Sequence, residues 1–328
     1  MIKGLAITPP AVGRISIGRV VEKNGKRLPE KDDQFTLTTQ VQNREGWILH
    51  PMDEALRQSA PGSKLRSIPV RMLFDDPALN LRAEYSLFDR SSGRPLCVGN
   101  GETCQRLGVD GVEVLSCPSP SLCAFAGAGS GTPQCKPYGR LHVQVDGPEA
   151  VGFGADVLDT FVFRTTGFNS IRTLAARLAY YQALSGDLLS CLPLQLKLRG
   201  KSTTQSHRTP IFYVDLTLRE GLSVEQALAQ AQAVHQARLD AGFYQQALDA
   251  AARAGFANAV FETSPDDVAE VLEEFYPLEG EEAGVEPSAN PPSAMSPGQN
   301  PQGSGPSLLR TKLAQRVSVA RKGGEVQP

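Results

Sequence analysis

The chain has 328 residues, of which 41% are hydrophobic, so it can bury a sizeable core and form one or two domains. Its formal net charge of -2 excludes a general attraction to nucleic acids or anionic membranes, so any contact with DNA must be local. Aromatic residues make up only 6%, which disfavours a stacking platform for single strands. No long apolar run and no signal peptide is recognisable, so we expect a cytoplasmic protein with no membrane partner.

Alternating apolar and polar residues predict strands through the first half of the chain. The earliest are residues 14–21 and 35–41, which we expect to pair with each other. The main sheet continues with residues 64–74 and 81–88, separated by a turn at 75–77.

A further strand follows the cysteine-rich segment and covers residues 139–146. Its alternation directs Leu141 and Val143 inwards and His142 outwards. The cysteine-rich segment, residues 97–139, is therefore predicted as a loop inserted between two strands.

The clearest helix in the first two thirds of the chain begins near Asn169 or Ser170, either of which can cap it. Its buried stripe consists of apolar residues at helical spacing: Ile171, Leu174, Ala175 and Leu178. Gly186 is placed to end the helix, and an antiparallel pair of strands follows at 191–198 and 211–218. We therefore predict an α+β fold, with a mainly antiparallel sheet core and one packed helix.

Composition divides the chain into three predicted regions. Residues 1–220 form the α+β domain, and residues 221–276 form an Ala-rich helical extension that starts with a capping box of Ser223 and Gln226. Residues 277–328 are rich in Pro, Gly, Ser and Glu, then basic and amphipathic, so we predict a disordered linker and tail.

Five of the six cysteines lie between residues 97 and 139, among Gly, Pro and Ser. Four thiolates around tetrahedral zinc leave no open position, so the predicted cofactor is a structural zinc ion. The proposed ligands are Cys117, Cys123 and Cys135, with Cys97 as the favoured fourth ligand and Cys104 as its alternative. The competing interpretation is a set of free, partly buried thiols.

Residues 164–219 form the basic region of the predicted domain, with eight Lys or Arg against Asp187 and Asp215. The candidate DNA-binding or partner-binding residues are Arg164, Arg172, Arg177, Lys197, Arg199, Lys201 and Arg208. Ser, Thr and Gln in the loop 200–210 can donate to phosphate oxygens. The loop lacks the pattern of a nucleotide-binding P-loop, and a merely solvated basic face is the competing interpretation.

Three motifs in fixed order, CVGNGE, CKPYGRL and TTGFNSIRTL, resemble the phage recombination directionality factor-like family over roughly residues 1–220. The sequence departs from the family pattern at Cys104, and Asn100 stands where Asp is more frequent. The resemblance implies a protein of the bacterial cytoplasm that binds a large serine integrase on its attachment-site DNA. Such a factor switches the integrase from integration to excision without chemistry of its own, and no small-molecule substrate is expected.

The leading hypothesis is a non-enzymatic, zinc-stabilised accessory protein of a DNA recombinase. One alternative is a metal-dependent hydrolase or nuclease, which needs an open metal position and a general base. The four histidines are scattered over separate predicted elements, which disfavours that chemistry. The other alternative is a nucleic-acid-binding module that uses residues 164–219, although no recognition-helix motif supports it.

Overall fold

A computed structural model describes residues 11–23, 26–44, 46–59, 64–126, 134–147, 160–202, 210–257 and 268–276. The strands are β1 (Ala11–Lys23), β2 (Lys26–Asn43), β3 (Gly46–Leu49), β4 (Ser67–Arg71), β5 (Leu81–Phe88), β6 (Pro95–Gly99), β7 (Thr103–Gly108), β8 (Gly111–Ser116), β9 (Lys136–Val145), β10 (Thr160–Thr165), β11 (Leu194–Lys201) and β12 (Ile211–Leu218). The helices are α1 (Pro51–Ser59), α2 (Pro77–Asn80), α3 (Phe168–Ser185), α4 (Val224–Asp240), α5 (Gln245–Ala257) and α6 (Val268–Phe275), with a short 3₁₀ helix at Leu189–Cys191.

The strands form one branched sheet, whose main path runs β3-β2-β1-β10-β9-β5-β6-β7-β8. Strand β9 also pairs with β4, and β4 leads through β11 to β12. Among the described pairings, β1 with β10 and β2 with β3 are parallel, and the others are antiparallel. The predicted α+β class with a mainly antiparallel sheet is confirmed.

The main core lies between helix α3 and the central strands. Leu174 and Leu178 on α3 belong to one buried cluster with Leu141 of β9 and Phe163 of β10. Ile171 of the same helix is also buried. The helix approaches the sheet closely at Gly139, where a Cβ atom would lie 2.8 Å from the Ile171 side chain. A larger residue at 139 would therefore push α3 away from the sheet.

The beginning of α3 differs from the prediction. Its N-cap is Gly167, and no side chain caps it. Ser170 is buried, and its hydroxyl accepts a hydrogen bond from the backbone N–H of Val214 at 3.1 Å, which ties α3 to β12. At the other end the prediction is confirmed, because Gly186 has the left-handed conformation with φ 63°.

The turn predicted at residues 75–77 leads directly into the short helix α2, which begins at Pro77. Asp76 is the N-cap, and its side chain accepts from the backbone N–H of Ala78 at 2.9 Å. Asp249 of α5 accepts from the backbone N–H groups of Asp75 and Asp76 at 3.1 and 3.2 Å. Two of the amides that precede α2 are thus satisfied by a side chain far along the chain.

Helices α4 to α6 pack on the sheet domain. Ala227 and Ala231 of α4 join the main core, and Ser223 and Gln226 form a capping box at its start. In α6, Val271 and Phe275 pack against Phe88 of β5 and Tyr138 of β9. The predicted linker and tail, residues 277–328, lie outside the described residues. Within those residues, no helix has the length and apolar character needed to cross a membrane.

Two further expectations are corrected. The cysteine-rich segment contains the end of β6 and all of β7 and β8, and is therefore not simply a loop. His142 does lie on the face of β9 opposite Leu141 and Val143, as the alternation predicts, but that face is covered and His142 is only 8% exposed.

Candidate metal centre and charged surfaces

The cysteines converge because β6 and β7 pair and the chain then turns back towards them. Cys97 of β6 lies opposite Arg106, and Gly99 lies opposite Cys104. Cys97, Cys104 and Cys117 are buried in one cluster, with Cys135 packed against it. Glycine is required at 99, since a Cβ atom there would lie 2.6 Å from the Cys104 Cβ.

Short hydrogen bonds hold this segment in place. The Asn100 side chain accepts from the backbone N–H groups of Glu102 and Thr103, both at 2.9 Å. The backbone N–H of Cys117 donates to the Glu102 carbonyl at 2.8 Å. On the far side, Ala126 donates to the Cys123 carbonyl at 3.0 Å and accepts from the Cys135 N–H at 3.2 Å. These backbone hydrogen bonds thus bring Cys117, Cys123 and Cys135 to the cluster.

Arg106 is the cation next to these thiols. Its guanidinium donates to the Cys123 sulfur at 3.8 Å and lies 4.3 Å from the centre of the Phe125 ring. Cys104 donates instead to the Ser116 carbonyl at 3.8 Å. All six cysteines of the chain are free thiols, so no disulfide accounts for the clustering.

Burial and mutual proximity keep two of the thiols protonated. Burial, followed by the nearby Cys97, Cys117, Cys123 and Cys104, raises the pKa of Cys135 to about 12. Burial and Cys97 raise the pKa of Cys104 to about 11. A bound cation reverses this effect by stabilising thiolates. The structure brings Cys97 and Cys104 equally into the group, so it does not choose between them as fourth ligand.

The donor chemistry fits zinc, since thiolates are the ligands that structural zinc sites use most. The arrangement is not that of a formed ligand shell. Within the part of the chain that the structure describes, which includes all five sulfurs, no group of three or more His, Cys, Asp or Glu is placed to hold a metal ion. The zinc site therefore stays a prediction that rests on the convergence of the thiols.

Two of the predicted basic residues, Arg177 and Arg199, pair with a buried carboxylate, Asp215 of β12. Its side chain is 6% exposed and pairs with the Arg177 Nε at 3.1 Å and with the Arg199 Nε at 3.3 Å. The backbone N–H of Leu216 also donates to Asp215, at 3.0 Å. The two arginines come from α3 and β11 and remain nearly half exposed, at 47% and 44%. Asp215 thus fixes two guanidinium groups side by side at the surface.

The other candidates have different surroundings. Lys197 pairs with Glu220 at 2.6 Å, and the Lys201 ammonium lies 6.0 Å from the Tyr213 ring centre. Arg172 is exposed on α3. Arg208 lies outside the described residues. Arg164 lies on β10 opposite Arg140 of β9 and so belongs to a separate group of charges.

Sequence reasoning missed this second group, which forms a row across three strands. Arg82 of β5 is opposite Arg140, and Arg140 is opposite Arg164. Glu84 pairs with Arg82 at 3.5 Å and with Arg140 at 3.3 Å. Each arginine is directly next to an inward-facing residue in the sequence: Arg82 next to Leu81, Arg140 next to Leu141 and Arg164 next to Phe163. That alternation shows that they lie on the face of the sheet opposite the main core, but only the strand register shows that they are neighbours.

His142 lies beside this row on β9. Burial, reinforced by Arg164, Arg140 and Arg82, lowers its pKa to about 3. Neither the His142 Nδ1 nor the Arg140 Nε has a hydrogen-bond partner among the described residues. His142 is therefore a neutral, buried imidazole held next to fixed positive charges.

Comparison with known proteins identifies one family. The family model Gp3-like, described as recombination directionality factor-like, matches residues 12–219. Neither a curated protein nor a solved structure matches the chain. The matched residues extend from the first strand to the end of β12 and include the thiol cluster, Asp215 and the arginine row. The chain therefore belongs to the recombination directionality factor-like family.

Proposed function

We propose that this protein is a phage or prophage accessory factor that binds a DNA recombinase of the serine integrase type and controls the direction of recombination. The single observation that carries this proposal is the family match over residues 12–219, which takes in every described strand and helix α3. The factor acts through protein contact in the cytoplasm of a bacterial host and carries out no reaction of its own.

The surface around Asp215 supports a secondary contact with DNA. Because the buried carboxylate holds the Arg177 and Arg199 Nε atoms, the outer nitrogens of both guanidinium groups are presented together. Paired guanidinium groups suit phosphate oxygens, which lie at regular intervals along a duplex. The carboxylates of Asp215 and Glu220 offset part of the positive charge. We infer that this surface touches DNA only where the recombinase has already placed it.

We also propose that the thiol cluster binds one structural zinc ion through Cys117, Cys123, Cys135 and Cys97, with Cys104 as the alternative fourth ligand. The support is the position of the five thiols, three of them buried in one cluster at the base of the β7 and β8 pair. Bound zinc would fix the segment 117–135 against β6 and β7. Its contribution would be folding free energy, since a closed thiolate site activates no water.

The test is a recombination reaction with purified components. The recombinase encoded in the same genome is incubated with its attL and attR sites, and separately with attP and attB, with and without this protein. We expect excision between attL and attR only when the protein is present, and less integration between attP and attB. An active recombinase whose two reactions are unchanged would overturn the proposal.

The same preparation separates the two alternatives. A metal-dependent nuclease would cleave DNA without recombinase, and a nucleic-acid-binding module would bind duplex tightly at physiological salt in the absence of a partner. An accessory factor does neither, and its effect appears only as a changed outcome of the recombinase reaction.

A further inference from the structure

The β7–β8 hairpin, residues 103–116, carries an apolar face that none of the other described residues covers. The register places Leu107 opposite Val112 and Gln105 opposite Val114. These side chains share one face, and Leu107, Val112 and Val114 are 48%, 50% and 73% exposed. The other face carries Cys104 and Leu115, which contact the thiol cluster. The hairpin thus buries one apolar face in the molecule and presents a second one to the outside.

The hairpin also ends the main path of the sheet. In the part of the chain that the structure describes, β8 pairs with β7 alone, so its outer edge is open. Exposed edges are usually protected by Lys, Pro or a bulge, because they invite pairing with other chains. The sequence of β8, GVEVLS, has neither Lys nor Pro. An open edge beside exposed valines is typical of an interaction surface.

The face is held in a fixed position. Its base is tied by the Asn100 turn and by burial of Cys104, and Arg106 packs against Phe125 on the opposite side. At the tip, Gly111 has φ 126°, a conformation that L side chains rarely adopt. A surface fixed in this way loses little conformational entropy when a partner binds.

The charges around the face indicate what kind of partner fits. Glu102, just before β7, and Asp110, in the turn between β7 and β8, are exposed at the two ends of the hairpin, and no ion pair to either occurs among the described residues. Glu113 is opposite Arg106 in the register and therefore lies on the thiol side. Arg106, the hairpin's one basic residue, is directed to the thiol side. An apolar face with an acidic border repels nucleic acid phosphates and complements a protein surface bordered by Lys or Arg.

We propose that the apolar face of the β7–β8 hairpin is the docking surface for the recombinase, through an apolar patch of that protein bordered by Lys or Arg. This inference rests on the proposed function and adds a location to it. It assigns the protein contact to the hairpin and leaves the Asp215 surface for DNA. Leu107, Val112 and Val114 supply the apolar contact, and the carboxylates of Glu102 and Asp110 orient the partner.

The decisive variant is V112K/V114K, which replaces two exposed apolar side chains with positive charges, so it removes the apolar contact and repels the basic border of the partner. Its control is V41K, since Val41 is an equally exposed valine, 61% accessible, on β2 near the opposite end of the sheet. Binding of the purified recombinase is measured without DNA, and circular dichroism confirms that both variants fold. We expect V112K/V114K to weaken binding by at least about tenfold, as loss of a central apolar contact does, and V41K to bind like the wild type.

The outcomes distinguish the two proposals. If the wild-type protein does not bind the recombinase, the proposed function itself fails. If the wild type binds and V112K/V114K binds equally well, only the assignment to the hairpin is overturned. The assignment to the hairpin is also overturned if V112K/V114K converts a dimer to a monomer in sedimentation, because the face then joins two copies of this chain. The assignment is overturned as well if removal of residues 277–328 makes Val114 newly accessible in chemical footprinting, because the face is then covered by the chain's own tail.

Discussion

The Nε atom of Arg177 lies 3.1 Å from the Oδ1 atom of Asp215, so a carboxylate buried in β12 joins helix α3 to the edge of the sheet. The same carboxylate holds Arg199 at 3.3 Å. One acidic side chain therefore connects three elements and orders the basic surface.

Replacing Asp215 with Asn should destabilise the fold, because the amide retains the shape but loses the charge that both arginines contact. We expect the free energy of unfolding to fall by about 1 to 3 kcal/mol, the usual cost of disrupting a buried hydrogen-bonded group. Glu220→Gln is the matched control, since its pair with Lys197 is solvent-exposed and should be worth less than about 1 kcal/mol. Urea denaturation of the three proteins measures the difference, and equal losses would show that burial of Asp215 has no energetic importance.

His142 should make the stability of the protein depend on pH. Its pKa is lowered from 6.5 to about 3, chiefly by burial and then by the three arginines of the row. As the pH falls, the His142 imidazole therefore binds a proton near pH 6.5 in the unfolded chain but only near pH 3 in the folded chain. The stability contributed by neutral His142 is complete above pH 6.5 and decreases as the pH falls through this range.

The variant His142→Gln isolates this effect, because glutamine is polar and does not titrate. Between pH 6 and pH 4, the wild type should lose stability more steeply than the variant, by up to about 1.4 kcal/mol for each pH unit. Urea denaturation at several pH values gives both slopes, and carboxylate titrations common to the two proteins cancel in the comparison. Parallel slopes would contradict the assignment.

The sequence revealed those features that local patterns determine. Alternation located the strands at 81–88 and 139–146, and Gly186 marked the end of α3 because a left-handed position favours glycine. The start of α3 was misplaced because Val214, 44 residues away, uses the Ser170 hydroxyl that would otherwise cap the helix. Local patterns carry no information about such a distant partner.

Strand register accounts for the remaining differences. Whether His142 meets solvent or a row of arginines depends on the alignment of β5, β9 and β10, whose residues are up to about 80 positions apart in the sequence. Clustering of the cysteines was recognisable from composition alone. The hairpin within them was not, because the abundance of Gly, Pro and Ser in residues 97–139 favoured a loop.

Zinc binding can be tested directly on the purified protein. We expect about one zinc ion per chain by mass spectrometry, and loss of thermal stability in a chelator, because a closed thiolate site contributes folding free energy. Cys117→Ser and Cys135→Ser should each remove the metal. Cys97→Ser should lower the zinc content more than Cys104→Ser, and the reverse order would make Cys104 the fourth ligand.

Cys191→Ser is the control for these variants. Cys191 is buried in the 3₁₀ helix, where Arg238 donates to its sulfur at 3.5 Å, and it is not part of the thiol cluster. Its replacement can change stability but should leave the zinc content unaltered. Protein prepared without chelator or oxidant that contains no zinc would exclude the metal site.

The basic surface should contribute to DNA binding only within the complex with recombinase. The isolated protein is expected to bind duplex weakly, without sequence preference, and with a steep loss of affinity as salt rises, because phosphate contacts release counterions. Replacing Arg172, Lys201 and Arg208 with Ala should weaken the effect on recombination and reduce the salt dependence of the complex.

Arg199 is left unchanged in this variant because its removal would leave the buried Asp215 with one fewer cation, so a loss of folding could not be told from a loss of binding. Arg44→Ala, at an exposed position at the end of β2, is the control for loss of a positive charge. If the triple variant supports excision to the same extent as the Arg44→Ala protein and with the same salt dependence, this surface does not contact DNA.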